Sequence, residues 1–325
     1  PSLVGSEMCI RDRGIISCIL LLTAFFSAGT TNAQSIVLTP KWTAQAQFAG
    51  YYVAEKMGFY KEEGLDVRIQ HPSLSESSFS FLKKGKAQAV VMNLSYALTE
   101  FFAGARVVNI LQTSQENSLM LVSHSPLKGL TALQHQKIAV WNHLSQELLG
   151  QVANKYQLQV EWIRFNGGVN IFLSKAADIC LVGSYNEFLQ LAECGMKTDS
   201  THVMHFADYG YNLPEDGLYV TEEFYEKYPE AARKLAKASM RGWEWANEHR
   251  EETLDIIMEE VHLHNIGTNR YHQRKMLDEV LRLQTNRESG KRTFRLSHEG
   301  FDRATSILLP AQKKTAHIRY ENFVK

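Results

Sequence analysis

The sequence predicts a two-lobed α/β protein: two open, mixed but mostly parallel sheets flanked by helices, with a cleft between the lobes. Three observations predict this. Short apolar strands alternate with amphipathic helices from residue 35 to residue 112, and after a further strand at 119–123 a second such series begins at residue 137. From residue 222 onward the periodicity is almost wholly helical. Alternating strands and helices favour parallel strands with helices laid across the faces of the sheet.

Residues 35–39 form a short apolar strand. Residues 45–58 place Phe48, Tyr51, Tyr52 and Ala54 at helical spacing and read as one helix, ended by Gly58. Residues 65–70 alternate as a second strand, and residues 75–84 form a helix capped by Ser75 or Ser77. A strand at 87–92, a helix at 96–103 and a strand at 107–112 complete the first series. A further strand at 119–123 and a connector at 127–133 lead to the second series, with strands at 137–141, 160–164 and 178–182 and helices at 144–156 and 186–194. The turn-prone run Pro214, Glu215, Asp216, Gly217 precedes a strand-like pair, Tyr219 and Val220. Helices follow at 222–228, 230–248, 250–261, 270–285 and 298–309.

Residues 14–29 are apolar and uncharged, follow Arg11 and Arg13, and lead into Thr31, Asn32 and Ala33. A basic start, a short apolar run and small residues before a cut describe a secretory leader cleaved after Ala33. Such a leader implies a periplasmic protein, and the run is short for a membrane span. Residues 1–13 fit no leader pattern beyond their arginines and read as a non-native scar, with a start at Met8 as the alternative. The expected division is therefore 1–33 leader, 34–122 with 217–325 as one lobe, and 123–216 as the other.

The 325 residues carry 35 Lys plus Arg against 35 Asp plus Glu. Neutrality gives no footing for nucleic-acid binding, which runs on a basic surface. Only Cys180 and Cys194 follow the leader. They read as two buried free thiols, with an oxidised pair as the alternative in an exported chain. The His262 and His264 pair has no third ligand nearby in sequence and reads as surface histidines. There is no GxSxG, HExxH or phosphate-loop spacing, so the chain reads as a solute-binding protein without cofactor or metal.

In open α/β sheets ligands bind beyond the carboxyl ends of the strands. The loop after the first strand supplies Trp42, Gln45 and Gln47: a flat stacking face beside two amides that both donate and accept. The loop after the third strand supplies Asn93 and Tyr96, for which helix capping is the plainer alternative. The strand at 178–182 leads to Tyr185, Asn186 and Glu187, where the carboxylate either accepts from a ring amine or sits solvated in a first helical turn. Asp216 stands near the return crossing.

The runs KWTAQAQFAGYYVAEKMGFYKEEGLDV from Lys41, SYNE from Ser184 and NLPEDGLYV from Asn212 resemble the thiamine-pyrimidine-precursor-binding family. That family is related to nitrate, sulfonate and taurine importer proteins and to the fungal thiamine-pyrimidine synthases. The resemblance spans residues 35–216 well and the tail at Tyr320, Glu321, Asn322 and Phe323 more loosely. It implies a bilobal periplasmic-binding-protein fold and a pyrimidine-like ligand stacked on an aromatic ring, with a carboxylate on its amino group. Trp42 and Glu187 fall on those positions. It also implies an ABC-transporter permease as partner, with the chain acting as a monomer. The synthase branch uses a cysteine-rich loop that is matched here only by Cys194 beside Gly195 to Ser200, so enzymatic synthesis is not expected. The competing readings are a sulfonate- or nitrate-type anion as ligand, or a sensing module for a membrane kinase. An anion site calls for several cations, and Lys41 is the only one among the cleft candidates.

Overall fold

The computed structural model describes residues 34–73, 75–141, 146–287, 289–309 and 318–325. The expected leader at 1–33 and the start of the helix expected at 144–156 lie outside them.

The first sheet opens with β1 (Gln34–Thr39). A 3-10 turn at Ala46–Phe48 leads into α1 (Ala49–Lys56), and α2 (Phe59–Glu62) follows. The helix expected over 45–58 is thus shorter and broken. Gly58 takes φ 78, a left-handed conformation that glycine adopts at little cost, and it ends α1. Then come β2 (Leu65–Ile69), α3 (Ser78–Lys83), β3 (Ala89–Asn93), α4 (Leu94–Phe102) and β4 (Val107–Gln112). Ser77 caps α3 by accepting from the Ser80 amide.

The second sheet is built from β5 (Leu119–Ser123), β6 (Lys137–Trp141), α5 (Gln146–Lys155), β7 (Glu161–Phe165), α6 (Asn170–Leu173), β8 (Ile179–Gly183), α7 (Glu187–Glu193) and β9 (Val203–His205). The chain returns as β10 (Asp216–Thr221), followed by α8 (Glu222–Lys227), α9 (Pro229–Glu248), α10 (Arg250–Leu263), α11 (Arg270–Leu283), α12 (His298–Leu308) and α13 (Tyr320–Phe323).

The strand orders are β2-β1-β3-β10-β4 and β7-β6-β8-β5-β9. β1 runs parallel to β2 and β3, while β10 runs antiparallel between β3 and β4. In the second sheet β6 is parallel to β7 and β8, and β5 is antiparallel to β8 and β9. Each sheet therefore takes in one antiparallel strand, at the point where the chain crosses from the other. Strands at the centre of each sheet, such as β3 (AVVMN) and β8 (ICLVG), are buried along their whole length, which is why they read as unbroken apolar runs.

Three details differ from the sequence reading. Residues 119–122 were expected with the first lobe, but Leu119 to Ser123 pair with β8 and β9 of the second sheet. The crossing is the polar run Thr113 to Ser118 just before, whose backbone has no ladder to join. Residue 216 was expected at the end of the second lobe, yet Asp216 opens β10 and pairs with Asn93 of the first sheet. Cys180 and Cys194 are both free, but only Cys180 is buried. Cys194 is exposed because it caps the solvent end of α7.

Behind the first sheet, α9 crosses α1 at glycine on both sides. A Cβ on Gly242 would lie 2.0 Å from the Gly50 carbonyl oxygen, and a Cβ on Gly50 would lie 2.3 Å from the Trp243 ring. The bulk missing at these positions is supplied by Trp243, which is fully buried.

Candidate functional site

The carboxyl ends of β1, β3, β6 and β8, with the starting ends of β5 and β10, meet around one open cavity of about 420 Å³, solvent at its mouth included. The first sheet contributes Trp42, Gln45, Gln47 and Asn93, and the second contributes Tyr185, Asn186 and Glu187. These candidates, scattered through the sequence, share the wall because antiparallel insertion of β5 and β10 brings their first residues to the carboxyl ends of the parallel strands.

Lys41 is the hub of the first-sheet wall. Its side chain is 5% exposed, and its ammonium sits 2.5 Å from Asp216 Oδ1 and donates to Asn93 Oδ1. Gln47 Nε2 donates to Asp216 Oδ2 at 2.7 Å, and Gln45 Nε2 donates to Gln47 Oε1 at 2.6 Å. Asn93 occupies the cap position of α4 but makes no capping bond; its side chain serves Lys41 instead. The β3–β10 register, which sets Asp216 opposite Asn93, fixes this cluster.

The Trp42 loop is held from behind. His71 lies 2.6 Å from the Trp42 carbonyl through Nδ1 and 3.0 Å from the Tyr52 hydroxyl through Nε2. A carbonyl only accepts, so Nδ1 carries the proton and Nε2 accepts from the Tyr52 O–H. Tyr52 oxygen in turn accepts from the Gln45 amide at 3.4 Å. Burial pushes the His71 pKa down to about 4, and the neighbouring His264 ring adds to the effect.

On the other wall, Glu187 is the first residue of α7 and is buried, not solvated. Its Oε2 accepts from the Gly183 amide at 3.1 Å and its Oε1 from Asn186 Nδ2 at 2.9 Å. Burial raises its pKa above the usual carboxylate value against those hydrogen bonds. Burial likewise raises the Tyr185 phenol, with the Asp216, Glu215 and Glu187 carboxylates adding to it. Helix α11 touches both walls. Gln273 Oε1 accepts from the Ala46 amide at 2.7 Å, His272 Nε2 lies 3.0 Å from Asn186 Oδ1, and Ser184 Oγ donates to Glu279 Oε1 at 2.6 Å.

Two candidates fall elsewhere. Tyr96 packs edge-on against Phe79, with its hydroxyl 3.5 Å from Ser77 Oγ. Position 96 lies a turn into α4, which carries its side chain off the strand end. Asp216 faces Lys41 and a smaller adjoining cavity that it lines with Gln47, Tyr185 and Trp243. Its neighbour Glu215 lines both cavities. The sequence reading missed Glu215, together with Ser118, Leu119, Trp141 and Gly183 on the main wall.

A family model described as NMT1/THI5 like matches residues 45–253. The riboflavin-binding protein RibY of Chloroflexus aurantiacus is 24% identical over 260 residues, covering 76% of this chain and 72% of that relative. The formylaminopyrimidine-binding protein of Halalkalibacterium halodurans is 24% identical over 272 residues, covering 77% and 79%. The solved periplasmic aliphatic sulphonate binding protein SsuA of Escherichia coli shares the fold, with a TM-score of 0.60 at 11% identity over 84% of this chain and 90% of that one. Two five-stranded mixed sheets flanked by helices are thus the bilobal periplasmic-binding-protein fold. With more than half of its length matched by one family model, the chain belongs to the NMT1/THI5-like family.

Proposed function

We propose that this chain is the solute-binding component of an ABC-type importer and that it takes a thiamine-related aminopyrimidine between its lobes. The observation that carries this reading is the makeup of the cavity wall. Trp42 and Tyr185 supply ring faces, Glu187 and Asn186 supply a hydrogen-bonding edge, and Lys41, the one cation of the wall among the described residues, is neutralised by Asp216. Such a wall recognises a flat solute with polar edges and leaves no free charge for a sulfonate or nitrate. The formylaminopyrimidine-binding relative supports the same ligand class. The relative named for riboflavin suggests a second reading, a fused-ring heterocycle against the same stacking wall.

In this reading the division falls between the sheets, and two strands of chain, Thr113 to Ser118 and Phe206 to Glu215, form the hinge. Ligand enters the open form, stacks on Trp42 and bonds Glu187, and closure presents a joint surface to the permease. The ligand closes the lobes only by its higher affinity for the closed state. Export through a leader at 1–33 to the periplasm belongs to the same proposal. Among the described residues no helix is long and apolar enough to cross a membrane.

Titration calorimetry with 4-amino-2,5-dimethylpyrimidine, riboflavin and an alkanesulfonate tests the reading. Binding of the pyrimidine, weakened by about 1–3 kcal/mol in Trp42→Ala and in Glu187→Gln, is the expected result. Binding of the sulfonate with no heat from any pyrimidine would overturn it.

A further inference from the structure

The main cavity has a carboxyl group that the proposed ligand contacts do not use. Glu215 ends the return crossing and is 6% exposed. Its Oε2 accepts a hydrogen bond from Ser118 Oγ at 2.5 Å. Its Oε1 is buried and has no hydrogen-bond partner among the described residues. The side chain lines the main cavity beside Lys41, Asn93 and Trp141. A buried oxygen without a partner is costly unless something fills the place opposite it.

The protein's own groups leave that place open. Lys41 is held by Asp216 at 2.5 Å and by Asn93, and it acts on Glu215 through its field, the largest influence that lowers the Glu215 carboxyl. Asp216 opposes ionisation, and Tyr185 and Glu187 face the same space without a cation between them. Burial pushes the Glu215 carboxyl up to about 7, against the lowering effects of Lys41 and Ser118. A group in that condition exchanges its proton near neutrality, and its preferred partner is one that shares a proton.

We propose that Glu215 is a ligand-contact residue whose Oε1 and a ring nitrogen of the bound heterocycle hold one proton between them, taken up from solvent as the cavity fills. The inference rests on the aminopyrimidine reading and deepens it. Glu187, already bonded by Gly183 and Asn186, accepts from the exocyclic amine, while Glu215 answers the ring nitrogen. The pair of carboxyls then distinguishes an amino-substituted ring, which has both a donor and a basic acceptor, from a simple anion, which has neither.

Calorimetry at pH 8.5 in phosphate and in Tris, with 4-amino-2,5-dimethylpyrimidine as probe, counts the protons bound. The unaltered chain takes up close to one proton per ligand. Glu215→Gln, whose amide N–H still donates to a ring nitrogen, binds within about tenfold of the parent with no proton uptake. Glu215→Ala binds more than about tenfold weaker. Thermal melts check that both variants fold; if Glu215→Ala does not, the proton counts of the parent and Glu215→Gln decide alone. Ligand binding without proton uptake in the parent, or with the same uptake in Glu215→Gln, overturns this inference and leaves the aminopyrimidine reading intact. Failure of the unaltered chain to bind any aminopyrimidine overturns both.

Discussion

His71 Nδ1 donates to the carbonyl oxygen of Trp42 across 2.6 Å, and through Tyr52 the same ring reaches the Gln45 amide. One neutral tautomer satisfies the whole relay. His71→Ala removes the donor to the Trp42 carbonyl and the acceptor of the Tyr52 O–H, and loosens the stacking loop. We expect ligand affinity to fall about tenfold, with thermal stability also reduced, measured by calorimetry and by melting.

Stability should depend on pH through His71 and Glu215 with opposite signs. The His71 pKa is lowered from 6.5 to about 4, so between these values the unfolded chain binds more protons and the His71 contribution shrinks as pH falls. The Glu215 pKa is raised from 4.5 to about 7, so between these values the folded chain binds more protons and stability declines as pH rises. Denaturant titrations at several pH values should show His71→Gln flattening the acid-side loss and Glu215→Gln flattening the fall toward neutrality. Unchanged profiles in both variants would contradict these assignments.

Lys41 and Asp216 form a nearly dry ion pair, with side chains 5% and 13% exposed. Lys41→Met leaves the buried Asp216 carboxylate without its cation, and should cost about 3 kcal/mol in urea unfolding. Lys41→Met combined with Asp216→Asn should cost less than the sum of the single changes, because no uncompensated charge remains.

Gly242→Ala reverses the usual helix preference. Alanine within a helix is ordinarily favoured over glycine by about 1 kcal/mol. Here the added methyl would meet the Gly50 carbonyl oxygen at 2.0 Å, which no rotamer relieves. We expect a loss of about 3 kcal/mol in chemical denaturation as α9 is pushed off α1.

Helix α11 reaches the second-sheet wall through the His272–Asn186 and Ser184–Glu279 contacts. If the lobes close on ligand, these contacts hold the closed form. The double variant His272→Ala with Ser184→Ala should release ligand about ten times faster, read by stopped-flow tryptophan fluorescence from Trp42 and Trp141, which line the cavity. An unaltered release rate would assign α11 a purely structural part.

The sequence by itself determined the architecture, because burial leaves a local record. The fully apolar runs at β3 and β8 follow from strands covered on both faces. The loop residues Trp42, Gln45, Gln47, Tyr185, Asn186 and Glu187 were legible for a related reason: they follow strands whose carboxyl ends gather ligands in open α/β sheets. Tertiary structure decided what depends on pairing between distant segments. It set β5 in the second sheet, placed Asp216 opposite Asn93, and so bound Lys41 to both. It turned Glu215 to the cavity and Tyr96 away from it. Side-chain periodicity reports which residues are buried, but register across a sheet is a relation between strands far apart in the chain, and no local pattern encodes it.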